Sequence, residues 1–175
     1  MKHDKIMIID YGSQYTQLIT RRVREINVFA EIFPFNVTAE EIDSFNPKAF
    51  ILSGGPSSVT TKKFPRISKD IFEKKIPILG ICYGLQLIAK IFGGKIKPLK
   101  KRREFGRAVL LKKKSSQLTK QYLVKKKSVW MSHEDAVVKL PKNFKIIAST
   151  KDSKLTVIEN KKKKIYGVQF HPEVT

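Results

Sequence analysis

Cysteine is almost absent from this chain, since Cys82 is the one cysteine among 175 residues. A lone thiol cannot close an internal disulfide, and one cysteine with three histidines provides too few ligands for a strong zinc site. No apolar run approaches the roughly 20 residues that a membrane-spanning helix requires. The first residues, MKHDKIMIIDYG, lack the apolar region of a secretory signal. We therefore expect a cytoplasmic protein that binds no metal and no membrane.

Acidic residues are also scarce: 15 Asp and Glu stand against 36 Lys and Arg, which gives a net charge of +21. Residues 95–127 hold fourteen basic residues and one acid, Glu104. An excess of this size is compatible with a nucleic acid or another anionic partner. The lysines, however, stand in runs (112–114, 125–127, 161–164) without interleaved aromatic residues. We interpret them as a solvated surface and expect no specific nucleic acid partner, while an anionic substrate or protein partner stays open.

The chain is long enough to bury a core, and its 41% hydrophobic content favours a globular fold with residues 1–175 in one domain. In the first half, short apolar runs typical of buried strands alternate with segments of helical spacing. After Gly94, strand-like segments follow one another, joined by short polar turns. This order predicts an α/β fold: a central, mostly parallel sheet with helices on both faces and an antiparallel extension in the second half. The predicted strands are 5–10, 28–35, 49–55, 76–82, 105–113, 128–133, 144–150, 154–160 and 164–170, and the predicted helices are 14–25, 38–45, 64–75 and 83–94.

The cysteine lies in LGICYGLQ, residues 79–86, between a predicted strand and a predicted helix. A lone cysteine is usually a small buried hydrophobic residue. The spacing Gly80-x-Cys82-x-Gly84, however, is that of a nucleophile elbow with sulfur in place of oxygen, where the tight turn leaves no room for side chains beside the nucleophile. The positive end of the following helix favours a thiolate at Cys82.

A thiolate nucleophile needs a base, and histidine is the usual choice. His3 lies at the N-terminus, which leaves His133 and His171 as candidates. His171 stands in GVQFHPEV, where the following proline disfavours a helix. In an extended segment, His171 and Glu173 face the same way, so the carboxylate is able to orient the imidazole. We predict a catalytic triad of Cys82, His171 and Glu173.

A second glycine-rich turn, LSGGPSSV at residues 52–59, follows another predicted strand. It superficially resembles the S-G-G-x-D-S loop that binds pyrophosphate, but the aspartate of that loop is missing and Pro56 removes a backbone donor. This turn fits better as a place where the backbone comes close to a reacting carbonyl group. The N–H groups of Gly55 and Tyr83 are therefore predicted to form an oxyanion hole.

With LSGGP, GICYGLQ and FHPE in this order, the chain resembles the class I glutamine amidotransferases over essentially its whole length. The resemblance implies a flavodoxin-like fold and hydrolysis of glutamine, in which Cys82 attacks the side-chain amide and His171 protonates the departing ammonia. It also implies that Gln86 and the backbone of Ser132 and His133 hold the substrate glutamine. No cofactor is implied within this chain.

Within that family, the segments DYGSQYTQLITRRVRE (10–25), REFG (103–106) and WMSHED (130–135) are similar to the amidotransferase part of glutamine-hydrolysing GMP synthases. Glu134 stands where that family usually has glycine. The resemblance implies a partner, the ATP pyrophosphatase domain or subunit, where ATP and Mg²⁺ would activate XMP for amination. It leaves open whether the chain, ending at Thr175, is a truncated product, an excerpt of a longer one or a separate subunit.

Two other functions stay open at this stage. One is an amidotransferase subunit of another pathway, such as anthranilate or CTP synthesis, although DYGSQYTQL argues against it. The other is a non-enzymatic basic binding protein on a decayed amidotransferase scaffold. The presence of Cys82, His171 and Glu173 together argues against decay, because drift is expected to remove at least one of them.

Overall fold

The structure of the protein is a computed structural model that describes residues 4–99, 104–121 and 127–174. These residues form twelve strands and three α-helices. The strands are β1 (Lys5–Asp10), β2 (Phe29–Pro34), β3 (Ala49–Leu52), β4 (Ile78–Ile81), β5 (Lys95–Pro98), β6 (Glu104–Val109), β7 (Leu111–Lys112), β8 (Ser128–His133), β9 (Asp135–Lys139), β10 (Lys145–Ser149), β11 (Val157–Asn160) and β12 (Ile165–Val168). The helices are α1 (Thr16–Glu25), α2 (Ala39–Phe45) and α3 (Tyr83–Ile91).

The main sheet has eight strands in the order β2-β1-β3-β4-β12-β11-β10-β7. Strands β2, β1, β3, β4 and β12 run parallel, whereas β11, β10 and β7 continue the sheet in antiparallel pairs. The predicted sheet, parallel in the first half and extended by antiparallel strands in the second, is confirmed. The crossovers place β12, which is late in the chain, directly beside β4.

Both faces of the inner parallel strands β1, β3, β4 and β12 are covered, as their largely apolar sequences require. In β1, the side chains of Met7 and Ile9 belong to one core cluster and that of Ile8 to the other, because successive side chains point to opposite faces. Helix α1 packs Ile19 into the same cluster as Ile8. Helices α2 and α3 contribute to the cluster on the opposite face, the latter through Leu85 among others. Helices on both faces were predicted and are present.

Helix α2 shows how local sequence sets its own boundaries. The Thr38 side chain accepts a hydrogen bond from the backbone N–H of Glu41, and the Glu41 carboxylate accepts one from the N–H of Thr38. This reciprocal cap satisfies donors that the first turn leaves free. The helix ends at Asn46, whose left-handed backbone (φ 53°) halts it.

The predicted helix over residues 64–75 is wrong. Only Lys69–Glu73 is helical, as a short 3-10 segment capped by the Ser68 side chain. Pro65 precedes this segment, and Lys75 adopts a left-handed backbone (φ 57°) directly after it. The apolar spacing suggested an α-helix, but it reflects a single 3-10 turn that buries Ile71 and Phe72.

Two small antiparallel ribbons lie beside the main sheet, β5 with β9 and β6 with β8. The strands β5 and β9 were not predicted, since KIKP is dominated by charge and DAVVK is short. The predicted strand over residues 105–113 divides into β6 and β7, which pair with different partners. Among the described residues, no helix is long and apolar enough to cross a membrane.

Candidate active site

Cys82 occupies a sharp turn between β4 and α3, with φ 51° and ψ −103°. Residues other than glycine rarely adopt such a backbone conformation, and it persists only where the surrounding structure enforces it. The same strand–nucleophile–helix arrangement presents the serine of α/β-hydrolases. The elbow geometry predicted from the glycine spacing is therefore present. The turn places the sulfur in a cleft at the carboxyl ends of the parallel strands.

The two flanking glycines are sterically required. A Cβ atom on Gly80 would lie 2.5 Å from the carbonyl carbon of Gly84, because the strand and the following helix cross at this point. A Cβ atom on Gly84 would lie 2.3 Å from the carbonyl oxygen of Leu52 on the neighbouring strand. Neither backbone is able to withdraw without moving the elbow, so the turn needs glycine at both positions.

His171 reaches the same cleft from the segment after β12. Because β12 pairs with β4, Val168 lies beside Ile81, and its carbonyl accepts a hydrogen bond of 2.8 Å from the N–H of Cys82. The N–H of His171 donates to the carbonyl of Trp130 at 2.9 Å. Residues 82 and 171 are thus brought together by strand pairing, and both are buried.

Glu173 contacts His171 as predicted, but through a different backbone. The His171 Nδ1 and Glu173 Oε1 atoms are 2.8 Å apart. The segment Pro172–Val174 is a 3-10 turn, closed by a bond from the N–H of Val174 to the carbonyl of His171, and not the extended chain that the proline suggested. The Arg22 side chain on α1 donates to the carbonyl of Glu173 at 3.4 Å and helps to hold this turn.

The charges around His171 favour the protonated imidazole. Burial alone lowers the pKa of His171, but hydrogen bonds with Cys82 and Glu173, and the negative charges of these groups, raise that pKa from 6.5 to about 9. Since Nδ1 faces the carboxylate, Nε2 is the nitrogen that faces the sulfur. The ring of Tyr15 meets the imidazole edge to face, with ring centres 5.2 Å apart. The arrangement favours a positively charged imidazole beside Cys82.

The glycine turn after β3 lies against this pair. A Cβ atom on Gly54 would approach the His171 ring carbon Cε1 to 3.0 Å, and one on Gly55 would lie 2.4 Å from the carbonyl of Tyr11. The structure therefore places Gly55 on the cleft wall, while Tyr83 begins α3 directly after the nucleophile. These are the two residues whose N–H groups were predicted to bind an oxyanion.

The cleft in front of the sulfur has a volume of about 500 Å³. It brings together the other predicted substrate-binding residues, Gln86, Ser132 and His133. The Gln86 side chain donates to the carbonyl of Asp135 at 2.8 Å, and the Cys82 thiol lies 3.6 Å from the carbonyl of Ser132. The cleft volume and its polar lining suit a ligand of amino-acid size.

Asp135 also lines the cleft but was not among the predicted site residues. It is buried, lines the cleft beside Glu134 and accepts a short hydrogen bond from Ser58. Its position at the end of WMSHED, a segment already singled out, was the signal that pointed to it.

His133 is the centre of a buried polar cluster. Its Nδ1 atom is 2.9 Å from the carbonyl of Asp135, and its Nε2 atom is 2.7 Å from Oε2 of Glu104, the residue opposite it in the β6–β8 ribbon. Because a carbonyl only accepts, Nδ1 is the nitrogen that carries the proton of the imidazole, which leaves Nε2 towards the carboxyl group. Burial lowers the pKa of His133, and the adjacent Glu104 opposes this incompletely. The imidazole therefore supports the loop that carries Ser132, which agrees with a binding role for the backbone.

Residues 4–99, 104–121 and 127–174 contain no group of three or more His, Cys, Asp or Glu side chains arranged to hold a metal ion. His3, the remaining histidine, lies outside the described residues.

A strained cysteine facing a histidine–carboxylate pair, on a sheet with helices on both faces, is the arrangement of a thiol-dependent acyl-transfer enzyme. A family model described as glutamine amidotransferase class-I matches residues 7–175. The chain belongs to the class-I glutamine amidotransferase family.

Curated relatives narrow the comparison. The chain is 50% identical over 171 residues to GMP synthase [glutamine-hydrolyzing] of Brachyspira hyodysenteriae, a match that covers 98% of this chain and 33% of that protein. It is also 50% identical over 175 residues to the protein of the same name from Clostridium tetani, covering 99% of this chain and 34% of the relative. The chain thus spans about a third of the length of these relatives.

Solved structures agree with the fold. A putative GMP synthase subunit from Thermoplasma acidophilum superposes with a TM-score of 0.83 at 30% identity, covering 99% of this chain and 86% of that one. A glutamine amidotransferase from Thermotoga maritima superposes with a TM-score of 0.78 at 22% identity, covering 99% of this chain and 77% of the other. The second match shows a shared fold alone.

Proposed function

We propose that this chain is the glutaminase component of a GMP synthase, which hydrolyses glutamine and supplies ammonia for the ATP-dependent amination of XMP to GMP. The observation that carries the proposal is the contact of the strained Cys82 with the His171–Glu173 pair. The 50% identity to GMP synthases supports the choice of pathway over anthranilate or CTP synthesis. We take residues 1–175 as one glutamine amidotransferase domain.

In the first half of the reaction, the Cys82 thiolate attacks the side-chain amide carbon of glutamine. The carbonyl oxygen gains negative charge, which the N–H groups of Gly55 and Tyr83 stabilise. The His171 imidazolium then gives its proton to the amide nitrogen, the C–N bond breaks, and ammonia leaves a thioester on the enzyme. Glu173 keeps the imidazole in position and stabilises its positive charge.

In the second half, neutral His171 takes a proton from water, and the resulting hydroxide attacks the thioester. The C–S bond breaks, glutamate leaves, and the sulfur returns to the thiolate facing the imidazolium. The histidine thus receives back the proton that it lost to ammonia, so the cycle closes.

The cleft also offers groups for the amino-acid end of glutamine. The side-chain amide of Gln86 and the backbone around Ser132 provide polar contacts at the cleft wall, and the carboxylates of Glu134 and Asp135 suit an α-ammonium group. His133 acts through this loop and not as a base, since its ring is occupied by Asp135 and Glu104.

Amination of XMP requires a partner. The chain spans about a third of its GMP synthase relatives, and its sequence contains neither a G-x-x-x-x-G-K-[ST] loop nor an S-G-G-x-D-S loop. We therefore assign ATP and Mg²⁺ to an ATP pyrophosphatase domain or subunit. We place the reaction in the cytoplasm, where a free thiol is kept reduced.

The proposed catalytic role of Cys82 is tested by replacement with alanine or serine. Ammonia and glutamate production from glutamine should fall to background in both variants, while circular dichroism and thermal melting stay close to those of the unaltered protein. Because Cys82 is the one cysteine in the sequence, loss of iodoacetamide labelling verifies each replacement. Glutaminase activity near the original level in a correctly folded variant would contradict the mechanism.

The proposed pathway is tested by adding a partner. We expect glutaminase activity to be low in the isolated chain and to rise with an ATP pyrophosphatase subunit, XMP and ATP-Mg²⁺, because ammonia released without an acceptor is lost. The loop of WMSHED is our candidate for the element that responds, since it lines the cleft and carries Glu134. Full activity of the isolated chain, unchanged by the complete mixture, would contradict coupling to XMP amination.

A further inference from the structure

We propose that Gln169 is a further catalytic residue, whose side-chain amide donates a hydrogen bond to the nucleophilic sulfur of Cys82. This inference rests on the proposed glutamine hydrolysis and extends it, because it adds a second donor to the thiolate besides His171. Gln169 follows β12 directly and stands two residues before the histidine.

The contact is buried and held in place. The Gln169 Nε2 and Cys82 Sγ atoms are 3.7 Å apart, within the range of a hydrogen bond to sulfur, and Gln169 is only 1% exposed. Its backbone N–H donates to the carbonyl of Thr156 on the adjoining strand segment at 2.9 Å. The side chain therefore reaches the sulfur from a fixed backbone.

The oxygen of the Gln169 amide gives a second reason to assign a role to this contact. The Oε1 atom of Gln169 is buried and has no hydrogen-bond partner among the described residues, an arrangement that costs free energy. Turning the amide over would place this oxygen against the sulfur, where it would repel a thiolate. The position of a buried glutamine with one end unsatisfied is best explained by what its N–H group does for Cys82.

The chemistry of the cycle gives this donor a role at defined steps. It stabilises negative charge on the sulfur before attack on glutamine, and again when the C–S bond of the thioester breaks and the sulfur leaves as a thiolate. In the thioester itself the sulfur is a poor acceptor, so the hydrogen bond is weakest there. Gln169 thus favours the two states in which the sulfur is charged.

Other ionisable groups near the sulfur stay constant when Gln169 is changed. His171 faces Cys82 from the segment after β12, with Glu173 behind it and the ring of Tyr15 at its edge. The pair of His133 and Glu104 lies on the β6–β8 ribbon across the cleft.

The test measures alkylation of Cys82 by iodoacetamide as a function of pH, which does not depend on glutamine. Gln169→Met keeps the length of the side chain and removes the donor. We expect its alkylation rate at pH 7 to fall about three- to tenfold, as loss of one hydrogen bond of ordinary strength implies, and its pH profile to move to higher pH. Gln169→Glu should shift the profile further, because a carboxylate repels the thiolate.

Thr20→Val is the matched control, since it removes a buried hydroxyl that donates to the carbonyl of Thr16 on α1 and should leave alkylation unchanged. If Gln169→Met does not fold, Gln169→Asn makes the same test, because it withdraws the amide by one methylene. Alkylation unchanged in a folded Gln169 variant would overturn the inference.

Glutaminase assays of the same proteins separate this inference from the proposed function. We expect kcat to fall with the alkylation rate while KM for glutamine changes little. An unaltered protein that does not hydrolyse glutamine, even with its partner present, would overturn the proposed function, whereas the alkylation profiles would still decide the role of Gln169.

Discussion

At the scale of single residues, the proposed mechanism depends on the backbone of Cys82 and on the contact between His171 and Glu173. The left-handed backbone at residue 82 exposes the sulfur to the cleft although the residue is largely buried. The carboxylate fixes one nitrogen of the imidazole, which leaves the other to exchange protons with the sulfur and the leaving group. Changes at these residues should therefore act on rate more than on substrate affinity.

Replacement of Glu173 by glutamine tests the role of the carboxylate. The change keeps the shape of the side chain but removes the charge that stabilises the imidazolium, so kcat should fall. Loss of a general acid–base group costs about 10²- to 10⁴-fold in rate, and we expect His171→Ala to show a loss of this size and Glu173→Gln a smaller one. Steady-state kinetics of both variants make the comparison. A Glu173→Gln variant as inactive as Cys82→Ala would give the carboxylate another essential task.

The raised pKa of His171 predicts a dependence of stability on pH. The pKa of His171 in the folded protein, about 9, lies above the ordinary value of 6.5, so protonation stabilises the fold. This contribution is complete below pH 6.5 and is lost as the pH rises through about 9. Thermal melting over this range should show a decline that is weaker in Cys82→Ala, where the contribution of the sulfur to the pKa is absent. Equal declines in both proteins would mean that the sulfur does not raise that pKa.

The local geometry of the candidate site was predictable from sequence where residues close in the chain determine it, while the catalytic roles of these residues stay predictions. Gly80 and Gly84 predicted the sharp turn at Cys82. The spacing of His171 and Glu173 predicted their contact, although a 3-10 turn and not an extended segment produces it. Glu104 was not predicted as part of the site, because its contact with His133 depends on a strand pairing that no local pattern reveals.

At the scale of secondary structure, the β6–β8 ribbon supports the loop at the mouth of the cleft. Glu104 and His133 are opposite each other in the ribbon, and their side chains meet in the interior. Beyond His133, the chain continues through Glu134 to Asp135, both of which line the cleft. The ribbon therefore couples the position of β6 to the shape of the substrate site.

Glu104→Leu tests this support. It removes the carboxyl group that lies 2.7 Å from Nε2 of His133, so the loop should be held less firmly and KM for glutamine should rise while kcat changes little. Leaving the buried His133 nitrogen without its polar neighbour should lower the free energy of unfolding by about 1–3 kcal/mol, measured by urea denaturation. Glu73→Leu, at an exposed ion pair with Lys163, is the control and should alter neither quantity. A fall in kcat at constant KM would contradict a supporting role.

The elements themselves were predictable to different degrees. The parallel strands and helices α1, α2 and α3 have strong apolar periodicity and were found close to their predicted positions. An α-helix was wrongly predicted for residues 64–75, because the apolar residues of this segment are buried by loop packing and only a 3-10 turn forms there. Strands β5 and β9 were not predicted because they become strands only by pairing with each other, and the two segments are far apart in the sequence.

At the scale of the whole molecule, the most unusual property of the sequence is its net charge of +21. The three lysines 112–114 are exposed, as are Lys161, Lys162 and Lys164. The basic segment 95–127 lies partly outside the described residues, at 100–103 and 122–126. In the part of the chain that the structure describes, the lysine runs remain consistent with a solvated surface.

Salt dependence of DNA binding tests that interpretation. If the lysines only decorate the surface, binding to duplex DNA arises from release of counterions, independent of sequence, and should be detectable at about 50 mM salt and lost near 200 mM. Electrophoretic mobility assays with two unrelated duplexes at both salt concentrations make the measurement. Retention of one duplex over the other at the higher concentration would show specific recognition and reject the interpretation.

The position of β12 affects when the candidate site is able to form during synthesis of the chain. This strand is the last one that the structure describes, yet it lies inside the sheet between β4 and β11. On the ribosome, Cys82 is made long before the strand that brings His171 to it, and during that interval the thiol lacks its base. We therefore expect a growing chain to be unable to hydrolyse glutamine until β12 has entered the sheet. Ribosome-stalled chains that stop before residue 165 should accordingly release no ammonia from glutamine, and ammonia release by them would show that the thiol is activated without β12.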